Sequence, residues 1–422
     1  MVDRLIRKAE RFFQTDIRYI LANSSWVATG KAFATLTAFL LSILYARYLP
    51  KAVYGDYRYI LSVLSIAGIF AVPGIGTAMA RAVARGFEGT FRRGGHFIFL
   101  ASFGISIISI GCALFFFYNS NTYLGWGFAL CALFFPFVEG MGNWRSYYDG
   151  KKLFKEKTLL NTLDQLVYTV FMASAIGAIV LLQLDPGASL LILLLAYTLG
   201  EGLPNVIFFL QTLKKIPKNA PEEPGALRYG LHLSAANIPA TVANYLDVVL
   251  LYAFMSPAAV AVYSFALAIP EQLKSYLGIV TDISFPKLAV QSQNAASLRD
   301  LRKTLIMKAV KTSYVTCVIV LIYIATAPFI YSIFFPRYTE AVYLSQIFAL
   351  SLVLFPFGVF NTALKAEGDM QKIYGYNVMV PVIQITALVT LIPSYGLWGA
   401  VSARMIGRIA NHILPLLFFI KK

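Results

Sequence analysis

Residues 228–283 read RYGLHLSAANIPATVANYLDVVLLYAF, MSP, AAVAVYSFALAIPEQLKSYLGIVTDI. Two apolar runs, each long enough to cross a bilayer, are joined by the polar elbow Met255-Ser256-Pro257. The first run carries Asn237, Pro239, Asn244 and Asp247. The second carries Pro270, Glu271 and Lys274 and leads to Phe285-Pro286-Lys287. An ionisable side chain in hydrocarbon costs about 3 kcal/mol or more unless it faces protein or water. Asp247, Glu271 and Lys274 in one hairpin therefore predict a cavity inside a helical bundle.

The rest of the chain has the same character. Of 422 residues, 58% are hydrophobic and 13% charged, and the mean hydropathy is +0.68. That composition excludes an ordinary soluble domain. Twelve spans are predicted, near 23–46, 57–79, 96–118, 124–147, 159–182, 187–211, 229–254, 258–283, 312–334, 341–363, 373–393 and 396–420. The connections are short, with no polar block long enough for a soluble domain. Cys112, Cys131 and Cys317 lie in apolar runs without CxxC spacing, and His96, His232 and His412 are scattered. No disulfide framework, metal site or cofactor is expected.

Charge sets orientation. The spans leave 28 of the 36 Lys and Arg on one side and 4 on the other, with Lys31, Lys274, Arg404 and Arg408 inside spans. The positive-inside rule then puts both termini in the cytoplasm. It also accounts for the net charge of +16 without nucleic acid. Residues 1–22 form a basic amphipathic segment: Leu5, Phe12, Phe13, Ile17 and Ile20 share a face against Arg4, Arg7, Lys8 and Arg11. It reads either as a helix on the membrane surface or as a topology signal. It has no signal-peptide core.

A weak repeat marks the halves. Ile43–Val53 aligns with Leu250–Val260 at an offset of 207, with six of eleven positions identical. Each copy sits at the outer end of the first span of a six-span half, so a parallel repeat fits an alternating-access transporter. The expected organisation is a six-helix half over 23–213, a proline-rich linker over 214–227 (Pro217, Pro221, Pro224) and a second half over 228–422.

Several segments resemble one family. Tyr245-Leu246-Asp247-Val248-Val249-Leu250-Leu251, Ala258-Ala259-Val260-Ala261-Val262-Tyr263-Ser264 and Phe285-Pro286-Lys287-Leu288-Ala289 resemble the seventh and eighth helices of Wzx-type polysaccharide flippases. These share the MOP superfamily with the MATE exporters and the lipid II flippase MurJ. Tyr45–Pro50 with Tyr54-Gly55-Asp56-Tyr57 resembles the family's first outer loop, with Pro50 where the family usually has Gly. Gly74–Ala78 followed by Arg81 is similar to the end of its second helix, and Leu391–Ala400 to its elbow between helices eleven and twelve. The resemblance implies an all-α polytopic protein of about twelve transmembrane helices in two six-helix halves around a central groove. It also implies that internal cations of the first two helices in each half meet a lipid pyrophosphate. That role would fall on Lys31 and Lys274, and Asp247 matches an acidic position near the outer end of helix seven.

Each candidate site residue has two readings. Arg404, Arg408 and His412 share a helix face by their i, i+4, i+8 spacing. Arg404 lies about 13 Å from the outer end of its span. Guanidinium matches phosphate geometry, so the arginines either grip a phosphate-bearing substrate or pair with a carboxylate such as Glu139 or Glu201. Lys31 lies about 12 Å into the first span with no acidic residue three or four positions away in the sequence, whereas Lys274 has an i, i+3 pair available in Glu271. Asp247 either binds a coupling cation or pairs with a cation such as Arg47. Asp164 and Asp282 are expected at the interface. Prolines inside spans, Pro73 to Pro415, are read as kinks, some as hinges.

The expected activity is translocation of undecaprenyl-pyrophosphate-linked oligosaccharide across a bacterial inner membrane. Candidate substrate residues are Lys31, Arg47, Lys274, Arg404 and Arg408, with Asp247 and Glu271 as groove or coupling acids. Membrane lipids are partners, with a polysaccharide polymerase and glycosyltransferases as possible protein partners; no nucleic-acid partner is expected. No Walker A motif is present. A MATE-like ion-coupled exporter is the rival reading. A membrane enzyme fits poorly, because the outer connections are short and nearly uncharged.

Overall fold

A computed structural model describes residues 17–294, 298–367 and 370–420, with side chains described outside 17–28, 276, 278–304, 308, 362, 365–374 and 420. Residues 1–16 of the expected amphipathic segment and the side chains of Asp282, Phe285, Pro286 and Lys287 lie outside that description. The described residues hold no strand. Backbone groups in hydrocarbon must be satisfied within their own segment, which leaves helices as the economical answer for such a sequence.

The helices, in chain order, are α1 (Ile17–Tyr48), α2 (Lys51–Ala67), α3 (Gly74–Ala84), α4 (Gly89–Tyr118), α5 (Thr122–Met141), α6 (Arg145–Gly150) and α7 (Phe154–Leu181). There follow α8 (Pro186–Lys215), α9 (Ala226–Phe254), α10 (Pro257–Asn294), α11 (Leu298–Phe334), α12 (Ala341–Leu350), α13 (Val359–Glu367) and α14 (Met370–Ile420). Residues 17–22 run into the first span as part of α1. Among the described residues, eight helices are long and apolar enough to cross a membrane, or nine when α2 and α3 count as one broken span. That break falls at Val72, whose positive φ of 44° is unusual for a β-branched residue, followed by Pro73. Within α14, Gly396 (φ 55°, ψ −126°) interrupts the helix at the expected elbow between the last two spans. Large apolar side chains such as Ile107, Leu133, Val315 and Phe329 stay more than half exposed, as lipid-facing residues do.

The chain forms two compact units, and they do not follow a single cut: one is Met1–Leu44 with Phe70–Ser234, the other Tyr45–Ile69 with Ala235–Lys422. In the first, α4 packs on α5 through a ladder of small residues. Ser106 and Ser109 donate to the carbonyls of Ala132 and Phe128, each at 2.6 Å, and Ser102 to that of Pro136 at 3.4 Å. Small polar residues let membrane helices approach and bond. Helix α5 ends at Met141, which leaves its last carbonyls without intrahelical partners. Asn205 Nδ2 donates to one of them, Val138, at 3.0 Å, while Asn205 Oδ1 accepts from Trp144 Nε1 at 3.0 Å.

The proline-rich segment before α9 is tied to this same unit. Glu223 accepts from Arg81 (3.1 Å) and Arg85 (2.9 Å), and Glu222 from Arg93 (2.9 Å). Arg92 donates to the carbonyls of Lys218 and Ile216.

In the second unit, α2 lies against α10. Gly55 allows this, because a Cβ there would meet the backbone carbonyl of Pro257. Tyr252 donates to Asp56 at 2.7 Å and stacks on Tyr59 with ring centroids 3.9 Å apart. Both copies of the repeat's shared Tyr-Ala step, Tyr45-Ala46 and Tyr252-Ala253, thus fall in one unit.

Candidate functional site

Three helices of the second unit bring the buried charges together. Helix α9 carries Asn244 and Asp247, α10 carries Tyr263, Glu271 and Lys274, and α14 carries Gln384, Arg404 and Arg408. Asp247 is fully buried and both of its carboxylate oxygens are bonded. It accepts from Tyr263 Oη at 2.5 Å, from Arg404 Nη1, and from the N–H of Val248 at 2.8 Å. Arg404 Nη1 also donates to the carbonyl of Asn244 at 3.2 Å, and its Nε lies 3.8 Å from Glu271.

Arg408 sits one turn further along. It donates to Glu271 at 2.5 Å and to Ser351 Oγ at 2.9 Å, with the ring of Phe348 4.0 Å from its guanidinium carbon. Lys274 donates to the other oxygen of Glu271 at 3.2 Å, the i, i+3 pair its spacing predicts. One carboxylate thus answers three cations, and the group of three cations and two carboxylates carries a formal surplus of one positive charge. Leaving one of these buried ions unpaired would cost about 3–5 kcal/mol, so the pairing contributes to stability.

Glu271, Lys274, Arg404 and Arg408 line a cavity of about 220 Å³ together with the amides Asn244, Asn377, Gln384 and Asn411. Gln384 is anchored by a 2.8 Å bond to the carbonyl of Ala243. The cavity offers fixed positive charge for an anion, and amide donors and acceptors for hydroxyl groups.

The structure changes several expected pairings. Arg404 and Arg408 meet Asp247 and Glu271, not Glu139 or Glu201. The reason is that α9 and α10 stand opposite α14 within this unit. Asp247 meets Arg404, not Arg47, which is exposed and donates to the carbonyl of Ile333 at 2.7 Å. Arg47 is therefore not brought to the cavity. His412 follows Arg408 on the same face but is buried against Phe355, with ring centroids 5.7 Å apart.

Lys31 belongs to a different place. It lines a cavity of about 370 Å³ in the first unit with Arg145, Asn161, Asp164, Gln165 and Glu201. Arg145 binds Asp164, donates to Asn161 at 2.9 Å and lies over the Trp144 ring. Asp164 is buried within this unit, and the arginine that compensates it comes from the short helix after α5, 19 positions away and out of reach of any local pattern.

Sequence reasoning missed Tyr263 and Ser351 as partners of the charges. It named Asn244 within its span but passed over the lining amides Asn377, Gln384 and Asn411. A signal existed for the latter: each interrupts an apolar run.

These features define a membrane transporter fold: an all-helical multi-pass bundle with charged cavities inside apolar helices. Comparison agrees. The chain is similar to the lipid II flippase MurJ in an inward closed conformation, with a TM-score of 0.66 at 12% identity, covering 94% of this chain and 87% of that one. It is similar to an outward-facing multidrug resistance MATE family transporter of the MOP superfamily, with a TM-score of 0.60 at 14% identity over 94% and 93% of the two chains. A MOP superfamily transporter from Pyrococcus furiosus gives 0.63 at 13% identity over 95% and 94%. Identities this low speak for the fold. No curated protein matches. The polysaccharide biosynthesis protein family matches residues 20–270, more than half of the chain, and the protein belongs to that family, with the fold of the MOP-superfamily transporters and flippases.

Proposed function

We propose that the protein is a flippase that carries undecaprenyl-pyrophosphate-linked oligosaccharide from the cytoplasmic to the outer leaflet of a bacterial inner membrane, by alternating access, for surface polysaccharide synthesis. The observation that carries this reading is the cavity of the second unit, lined by three cations, the carboxylate of Glu271 and four amides, with Asp247 holding Arg404. A pyrophosphate is an anion that guanidinium binds well, and a sugar presents hydroxyls that amides match. Both lose hydration on leaving water, and a preformed polar wall replaces it. Family membership supports the polysaccharide connection.

In this reading Arg408 and Lys274 hold the phosphoryl oxygens. Arg404 orients the site while held by Asp247, and Glu271 is the candidate for ion coupling. Lys31 serves a second station in the first unit, and Arg47 is a peripheral contact at the outer end of α1. Both termini are cytoplasmic, following the 28-to-4 asymmetry of Lys and Arg. The six-helix halves, 23–213 and 228–422, alternate about the 214–227 linker. The polymerase and glycosyltransferases of the same synthesis are the expected protein partners.

The test is leaflet exchange of a fluorescent undecaprenyl-pyrophosphate oligosaccharide in liposomes holding the purified protein. Wild type is expected to expose the probe to an external quencher, and Lys274→Gln/Arg408→Gln to slow exchange at least tenfold. No exchange by wild type, with proton-driven export of a lipophilic cation instead, replaces this reading with the MATE-like one.

A further inference from the structure

The two carboxylates of the cavity are not equivalent. Asp247 is fully buried, its side chain 0% exposed, and it is held by Tyr263, Arg404 and the Val248 amide. Glu271 lines the cavity with its side chain 31% exposed, and its partners among the described residues are cations: Arg408, Lys274 and, more distantly, Arg404. No hydroxyl or backbone N–H fixes it among the described contacts. Arg408, by contrast, has supports that do not depend on Glu271. Its Nη1 is bonded to Ser351 and its guanidinium lies against Phe348. Lys274 is on the same helix as Glu271 and its side chain is 43% exposed toward the cavity.

We propose that Glu271 is a resident anion occupying the site that a phosphoryl group of the substrate takes. In the empty protein its carboxylate neutralises Arg408 and Lys274, so the cations do not stand unpaired in the membrane. An entering phosphoryl group fits the guanidinium fork as a carboxylate does, and it brings more acceptor oxygens and more negative charge than one carboxylate. It takes over Arg408 and Lys274, and Glu271 swings into the open part of the cavity. Asp247 stays with Arg404 throughout and keeps the frame. Binding is thus an exchange of one anion for another at a fixed pair of cations, and the ligand class is a phosphoryl or pyrophosphoryl group. Glu271 lowers affinity in the empty state, which favours release of the cargo at the far leaflet. The inference rests on the reading of the cavity as an anion site.

The experiment is calorimetric titration of farnesyl pyrophosphate into the full-length protein in nanodiscs of zwitterionic lipid. Glu271→Gln keeps the side-chain shape and removes the competing charge. It is expected to tighten binding about tenfold and to slow release in the leaflet-exchange assay. Glu271→Asp retracts the carboxylate by one methylene while keeping its charge, is expected to fall between the two, and decides the matter if the glutamine variant does not fold. Arg408→Gln is expected to weaken binding at least tenfold. Binding by wild type with equal or weaker binding by Glu271→Gln overturns the exchange while leaving the anion site standing. Failure of wild type and both Glu271 variants to bind overturns the exchange and the anion site together.

Discussion

Removing the guanidinium of Arg404 tests the charge arrangement most directly. Arg404→Gln leaves Asp247 fully buried with only Tyr263 Oη and the Val248 N–H as partners. Breaking a buried ion pair from one side costs about 3–5 kcal/mol, because the remaining charge is uncompensated. Asp247→Asn leaves Arg404 with the Asn244 carbonyl and the more distant Glu271, so it belongs at the lower end of that range. The double variant Asp247→Asn/Arg404→Gln removes both charges and keeps two amides able to bond to each other and to Tyr263. It should cost less than Arg404→Gln alone. At roughly 2–4 °C per kcal/mol for a unit of about this size, the single arginine variant should lower the melting temperature by on the order of 10 °C, and the double variant by clearly less. Thermal unfolding of the purified proteins in detergent, followed by tryptophan fluorescence, measures all three. If the double variant loses the sum of the singles, or if Arg404→Gln melts with wild type, the pair does not hold α14 to α9.

Gly55→Ala puts a Cβ on the Pro257 carbonyl and should cost about 1–3 kcal/mol by overpacking. Gly111→Ala and Gly177→Ala meet nothing within 4 Å and should be neutral or mildly stabilising in the same melt, by helix propensity. Ser106→Ala removes one rung between α4 and α5; its cost should be about 0.6 kcal/mol, the usual worth of such a bond in a membrane bundle, read as a small fall in melting temperature. Glu223→Gln loosens Arg81 and Arg85 from the proline-rich segment, so limited trypsin digestion should cut after Lys218 faster than in wild type, with transport activity measured alongside.

The amino-acid sequence alone determined that this is an all-helical membrane protein. Hydropathy is a property of each segment by itself, and a backbone in hydrocarbon has almost no alternative to helix. The pair Glu271–Lys274 was also legible, because three residues along a helix fix a neighbour. The spacing of Arg404 and Arg408 gave their shared face. What a face meets is another matter. Asp247 lies 157 positions from Arg404, and Glu271 137 from Arg408. Helical periodicity has no term for which helices stand side by side, so Glu139, Glu201 and Arg47 were equally eligible partners. Asp164 and Arg145 show the same limit, as does Tyr45–Ile69, which precedes most of the first unit in the chain yet packs with the second. Local patterns dictate which charges must find a partner. Only the packing of helices distant in sequence decides which partner each one finds.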